Sequence, residues 1–500
     1  MVPNRVRVST RHTLNCQNEV TVAVLKTPFK LGPLDYTVPA SLTIGAIFVY
    51  QRPASIPQNV LLRVDRLKDA AAILLDYYPH LTGRLQENPA SRVAEIVQIG
   101  AGVELWEANC DLRLGNIAAS SPSNRLLMHN LPASGDALIP EFPLACGAIG
   151  HNPILAIQHT RFACGGVALG FRIQHSVCDP TGLLRLVRDL AGIYRRIRDF
   201  SPPALVFLPV LHSYRSTYPR EQCSYRPLNL YLEEDATMEL ETADGPSKVS
   251  SRVLRFSGPE LIALKQAATN PDPRYRHPVS SFEALSAYLY QRIYQARIEA
   301  LIHQRLPPFP KLSRLNRTIW LTVDMRDPVR LDLSPDYFPN AGYCVIVDSS
   351  YTDPELYPRW MIASYIHYAF STMDMHRVIK TLEWVAAQRD KSRIRSTTEF
   401  REGCFAISEW TKEDTYFDVD FDVDQDGDPI TPSLVAKPFT EVELVDGLAY
   451  VMSTEEKTKR MKQGLVTPVN HTWALDVYLA LNDSVWTFLD TDPNFRKLYA

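Results

Sequence analysis

Apolar positions recur with a helical period between residues 60 and 78, where Val64, Leu67, Ala71, Leu75 and Tyr78 share one face. Pro79 stops that helix, because proline brings no amide hydrogen to the ladder. Residues 154–175 then read as β structure. Val167, Leu169, Phe171, Ile173 and His175 alternate onto one face of a strand. The helical period returns from about Thr181 to Ile197, through Leu183, Leu186, Leu190 and Tyr194. Between 201 and 280 the pattern weakens and prolines cluster, which predicts an extended crossover over 201–248. Order resumes with the strand-like VSSRVLRFS near 249. Ser257 with Glu260, and Ser280 with Glu283, have the spacing of helix capping boxes. The second box precedes the helical stretch FEALSAYLYQRIYQAR. WLTVDMR (320–326) alternates again. No proline occurs from 359 to 428, and Trp360 to Arg389 predicts one long helix.

Strands and helices mixed in both halves predict an α/β or α+β architecture in two units, 1–200 and 249–500. Composition narrows the function. The chain has 500 residues, 45% hydrophobic and 22% charged, enough apolar surface for large cores. Its 37 prolines against 21 glycines mean stiff connections. No G-x-G-x-x-G, G-x-x-x-x-G-K-[ST] or G-x-S-x-G occurs, so dinucleotide folds, phosphate-loop NTPases and nucleophile-elbow hydrolases lose their main support. A net charge of -3 predicts no nucleic-acid partner and no membrane association. The first residues carry no apolar run after their basic positions, and the stretch 42–50 is too short to span a bilayer, so a cytoplasmic protein is expected. The eight cysteines include no C-x-x-C, and no metal site is expected.

His175-Ser-Val-Cys-Asp179 is the only H-x-x-x-D in the chain. The histidine ends a strand and Asp179-Pro180 opens a helix, a junction where rigid elements present side chains. A histidine there can take a proton from a hydroxyl or amine near neutral pH. It can equally be a hydrogen-bonded core residue. Asp179 can be a plain N-cap with Pro180 at the first helical position, or the partner of a distant arginine.

Five segments, in order along the chain, bear on that choice, one of them carrying the H-x-x-x-D itself. They are LKDAAAILLDYYPHLTGRL (67–85), LAIQHTRFACGGVALGFRIQHSVCDPTG (155–182), SSFEALSAYLYQRIYQAR (280–297), VDMRDPVRLDLSPDYFPNAGY (323–343) and SEWTKEDTYFDVDFD (408–422). Together they resemble the ordered motifs of BAHD acyltransferases. The resemblance implies an α/β fold of two chloramphenicol-acetyltransferase-like domains, with mixed sheets and an active-site channel between them. The first domain is then completed by a segment near 405–440. The implied activity is acyl transfer from acyl-CoA, a co-substrate and not a bound cofactor, to a small alcohol or amine by a monomeric enzyme of specialised metabolism. His175 matches the general base, Asp179 the structural aspartate and Arg326 its ion-pair partner. Ser408 stands in the place of a hydroxyl near the oxyanion, or is a plain serine at a strand end. Asn340, Asp420 and Phe421 match motif positions along the channel. Arg274 and Arg276, with Ser280 and Ser281 at a helix start, are candidates for the CoA phosphates, the alternative being two solvated arginines.

Three departures stand out. Pro180 and Pro339 replace glycines of the pattern, and the D-F-G-W-G tryptophan is missing from Asp420-Phe421-Asp422-Val423-Asp424-Gln425-Asp426-Gly427. The acidic run there matches the first half of a calcium loop, with Ser433 at the position of the closing glutamate. That leaves two rival readings. One is a condensation enzyme fed by a carrier protein, which would want a second histidine where Gln174 stands. The other is a calcium- or ligand-binding relative without catalysis.

Overall fold

The computed structural model describes all residues except 1–4, 40–41, 122–123, 143–149, 216–224, 228, 234–247, 304–314, 348–356, 397–402, 441–443, 465–471 and 496–500. Two six-stranded mixed sheets organise it, each beside its own large apolar core. The architecture is α/β.

The first sheet runs, in spatial order, Val6–Leu14, Val103–Cys110, Leu155–Phe162, Val167–Gln174, Thr43–Tyr50 and Leu434–Ala436. Only Val103–Cys110 and Leu155–Phe162 are parallel, and a parallel pair needs a long crossover. Helix Leu114–Ala119 and the 3-10 turns up to Leu138 fill it. Those turns change the expected strand. Alternation predicts one buried face for Val167–Gln174, yet all eight residues are buried. The second face is Ala168, Gly170, Arg172 and Gln174, and the turn segment packs directly on it. A Cβ at Gly170 would stand 1.9 Å from the Leu138 carbonyl oxygen. Arg172 is tolerated there because its guanidinium donates to Thr43 Oγ1 and to the Pro140 carbonyl.

The helices follow their local signals. The first runs Val64–Tyr77, shorter than the predicted 60–78, because Leu62 turns the chain at φ 48° before it can start. Helix Pro180–Arg198 packs beside it. Ser280 and Glu283 exchange side-chain and backbone bonds at 3.1 and 2.6 Å, opening the long helix Ser281–His303. The long helix expected over 360–389 is two, Arg359–Ser371 and Met375–Ala387. Asp374 accepts the Arg377 N–H at 2.9 Å, so it caps a new helix instead of continuing the old one.

The second sheet runs Val249–Phe256, Leu475–Asn482, Leu448–Ser453, Phe405–Glu409, Ile319–Asp324 and Gly342–Val347. Two connections tie the sheets together. Residues 410–433 leave the second sheet and return as Leu434–Ala436, antiparallel to Thr43–Tyr50 on the edge of the first. The described part of the crossover is stitched to residues 336–338, where Val210 donates to the Asp336 carbonyl and accepts from Phe338. No helix among the described residues is long and apolar enough to cross a membrane.

Candidate active site

His175 leaves its strand with its amide bonded to the Leu42 carbonyl at 2.9 Å. A tight turn follows, and His175 Nδ1 lies 3.1 Å from the Cys178 carbonyl oxygen. A carbonyl can only accept, so the neutral ring carries its hydrogen on Nδ1 and its lone pair on Nε2. The imidazole is half-buried while Ser176, Val177, Cys178 and Asp179 are buried. Burial first, then the Asp179 charge, lifts the Cys178 thiol well above its ordinary range, so it is no thiolate nucleophile.

Asp179 does both jobs the sequence leaves open. Its Oδ1 caps helix Pro180–Arg198 by accepting the Gly182 N–H at 3.0 Å. Both oxygens also take the Arg326 guanidinium at 2.9 Å each, and Oδ2 accepts the Ala341 N–H at 2.8 Å. Arg326 in turn reaches Asp324 and the carbonyls of Tyr337 and Pro339. Burial lowers the guanidinium's affinity for its proton, but Asp179 and Asp324 outweigh that and hold its pKa above the ordinary arginine value. The displaced glycine also has a reason. A Cβ at Gly182 would meet the Phe338 carbonyl oxygen at 2.3 Å. Close approach is needed there, and position 180 is free to be the proline at the helix start.

Asn340 joins the cluster from the other side. Its Nδ2 donates to the His175 carbonyl and to Asp35 Oδ1, both at 2.9 Å. Asp35 is the residue sequence reasoning missed. It is buried, accepts the Asn340 N–H at 3.2 Å and the Gly32 N–H at 2.7 Å, and burial raises its pKa to about 6. The available signal was a lone carboxylate in the apolar stretch Leu31 to Val38.

His175, Asp179, Arg326 and Asn340 are thus brought together. The remaining candidates stand outside that cluster. Ser408 is half-buried on strand Phe405–Glu409, opposite Tyr450. Ser280 and Ser281 line a cavity of about 600 Å³, together with Glu409 and with Arg330, Lys412 and Lys457 from three separate segments. No motif announces these three cations. Arg274 and Arg276 do not line it: the first is paired to Asp272 at 2.7 Å and the second donates to the Asn270 carbonyl.

The acidic loop is a clasp. Phe421 is buried edge-on to Tyr50 and Tyr194. Arg195 holds Asp420, and Arg198 donates to the Phe421 carbonyl at 3.1 Å. Asp422 accepts the Leu62 N–H at 2.7 Å and lies 3.4 Å from Arg66. Asp424 Oδ1 is spent on the amides of Asp426 and Asp428, closing a turn. Among the described residues no group of three or more carboxylate, thiol or imidazole side chains is arranged to hold a metal ion.

Comparison with known proteins agrees with this frame. The family model described as the Transferase family matches residues 18–432. Shikimate O-hydroxycinnamoyltransferase of Nicotiana tabacum is 25% identical over 382 residues, 76% of this chain and 80% of the relative. Taxadien-5-alpha-ol O-acetyltransferase of Taxus chinensis is 30% identical over 177 residues, 34% of this chain and 37% of the relative. Among solved structures, F. graminearum TRI101 complexed with coenzyme A and T-2 mycotoxin superposes with a TM-score of 0.65 at 17% identity, covering 94% of this chain and 98% of that one. Vinorine synthase gives 0.58 at 14% identity, covering 97% and 96%. These two likenesses concern the fold alone. With the family match extending over most of the sequence, the chain belongs to the Transferase family of BAHD acyltransferases.

Proposed function

We propose that the protein transfers an acyl group, acetyl in the simplest case, from acyl-CoA to a small alcohol or amine, with His175 as general base. The observation that carries this reading is the imidazole fixed at a strand-to-helix turn, with Nδ1 engaged by the Cys178 carbonyl and the turn held from the second sheet by Arg326 and Asn340. Nε2 takes the acceptor's proton as the acceptor oxygen or nitrogen attacks the thioester carbonyl. The tetrahedral intermediate collapses with loss of the CoA thiolate, which takes the same proton back from Nε2. No covalent acyl-enzyme is required.

Asp179 and Arg326 do not touch the reacting atoms. They fix the turn, which is where proximity and orientation are won. Ser408 is the proposed hydroxyl donor to the oxyanion. For the nucleotide phosphates we assign Arg330, Lys412 and Lys457 with Ser280 and Ser281, because they line one cavity; Lys457 would exchange its partner Asp414, 2.8 Å away on the same lining, for the phosphate. Arg274 and Arg276, which precede the same helix start, are bonded to Asp272 and to the Asn270 carbonyl and are left out of this assignment. Asn340 holds the His175 main chain from the second sheet's side. Asp420 and Phe421 pack with Arg195, Tyr194 and Tyr50, at the end of helix Pro180–Arg198 remote from His175, so their part is to fasten the acidic loop and not to line the channel. The acetyl form and the small-molecule acceptor rest on the yew relative's name and on family membership.

The test is thiol release from acetyl-CoA across a panel of alcohols and amines. His175→Ala should lower the rate by about 10²- to 10⁴-fold. A variant as fast as the wild type ends the general-base reading.

A further inference from the structure

The cluster around His175 draws on one region the catalytic reading does not use. Residues 31–37, 213–214 and 337–341 meet beside the turn. A Cβ at Gly32 would stand 2.6 Å from the Tyr214 carbonyl oxygen, and Tyr214 donates its N–H to Tyr337 Oη at 2.9 Å. At the centre of this junction is Asp35, whose two oxygens accept three N–H groups: Gly32 N on Oδ2, and Asn340 N and Nδ2 on Oδ1. The Asn340 amide then has one orientation. Both of its Nδ2 hydrogens are directed at acceptors, Asp35 Oδ1 and the His175 carbonyl, while Oδ1 is buried without a partner. The flipped amide would set an oxygen against both acceptors, so the carboxylate dictates which end of the amide meets His175.

We propose that Asp35 is a positioning residue for His175: it fixes the Asn340 amide, and Asn340 fixes the main chain of the base. The turn is then gripped on both sides. Arg326 holds Asp179 at its end, and Asp35 through Asn340 holds His175 at its beginning. One carboxylate near the N-terminus, 305 residues from Asn340, sets where the imidazole stands. This inference rests on the reading of His175 as general base, and extends it to a residue that touches neither substrate nor imidazole.

The experiment compares Asp35→Asn in two backgrounds, wild type and His175→Ala, using thiol release from acetyl-CoA with the best acceptor of the panel. Asparagine keeps the shape but has one acceptor oxygen for the two sides, so either the Asn340 donors on Oδ1 or the Gly32 N–H that fixes the carboxylate on Oδ2 loses its partner. In the wild-type background kcat should fall about 10- to 100-fold, the scale of a small misplacement of a reacting group, with the KM for acetyl-CoA nearly unchanged. On the His175→Ala background it should change nothing, because there is no base left to misplace. Should Asp35→Asn fold poorly, Asn340→Ala breaks the same link while leaving Asp35 its two backbone donors, and the same dependence on background is expected. An equal loss on both backgrounds, or no loss in the wild type, overturns the positioning role. A His175→Ala enzyme as fast as wild type is a different failure: it removes the base itself and this inference with it.

Discussion

The two six-stranded sheets are alike in size and unlike in how they are closed. The strand that leads to His175 lies inside the first sheet with every residue buried. The strand that leads to Arg326 alternates between buried and more exposed positions. The first sheet also borrows an edge strand, Leu434–Ala436, from sequence otherwise belonging to the second, while the second sheet uses only residues after 248. His175 thus leaves a strand that is buried on both faces, and the side chains that hold its turn, Arg326 and Asn340, come from beside the other sheet.

The largest effect is expected from breaking that clamp. Arg326→Ala leaves Asp179 with the amides of Gly182 and Ala341 but no cation. Removing one member of a buried pair typically costs about 3–5 kcal/mol, because the other charge stays behind uncompensated. The guanidinium-chloride unfolding midpoint should fall accordingly. A loss below about 1 kcal/mol, the scale of an exposed pair, would mean the two halves of the site are not joined by this contact.

A smaller effect is expected at the borrowed edge. Asp422→Ala takes the acceptor from the Leu62 N–H, the neighbour from Arg66 and a partner from Tyr194, at a cost of about 2 kcal/mol. The informative readout is local. Leu434–Ala436 pairs with Ile47–Val49, and the Ser433 N–H reaches the Val49 carbonyl at 2.7 Å. Amide exchange at 433–436 should rise in the variant while that of Ile319–Asp324 stays as it was. Unchanged exchange at 433–436 would show that the edge strand holds its place without the acidic clasp.

How much of this was written in the sequence follows distance along the chain. Helix Pro180–Arg198 and both capping boxes were legible because their signals lie within one turn. The burial of both faces of Val167–Gln174 was not, because alternation reports the strand and says nothing of the Pro132–Leu138 turns that cover Gly170. The break between Ser371 and Met375 was missed because a proline-free run was read as continuous, while Asp374 competes locally for the backbone. The Asp179 and Arg326 contact joins residues 147 apart and came from the resemblance alone. Asp35 and the three cavity cations had neither spacing nor motif, since each meets its partners only after both sheets have formed.

The smallest effect separates the halves by pH. Two histidines in the first half are buried and held neutral: burial drives His80 to about 3 and His159 to about 4. His303 and His376, in the second half, are exposed. A histidine whose folded pKa lies below its unfolded value binds more protons when unfolded. Its contribution is therefore intact above about pH 6.5 and is lost as the pH falls toward the folded value. For His80 alone the loss between pH 7.5 and 5.5 is about 1 kcal/mol. Its ring stacks on Phe29 at 5.1 Å and meets Phe338 edge-on, and its Nδ1 is buried without a partner, so an apolar side chain fits the same space. His80→Leu should match or exceed the wild-type melting temperature at pH 7.5 and lose less of it at pH 5.5. If both proteins lose the same amount, the acid sensitivity of the first half lies in its carboxylates and not in this histidine.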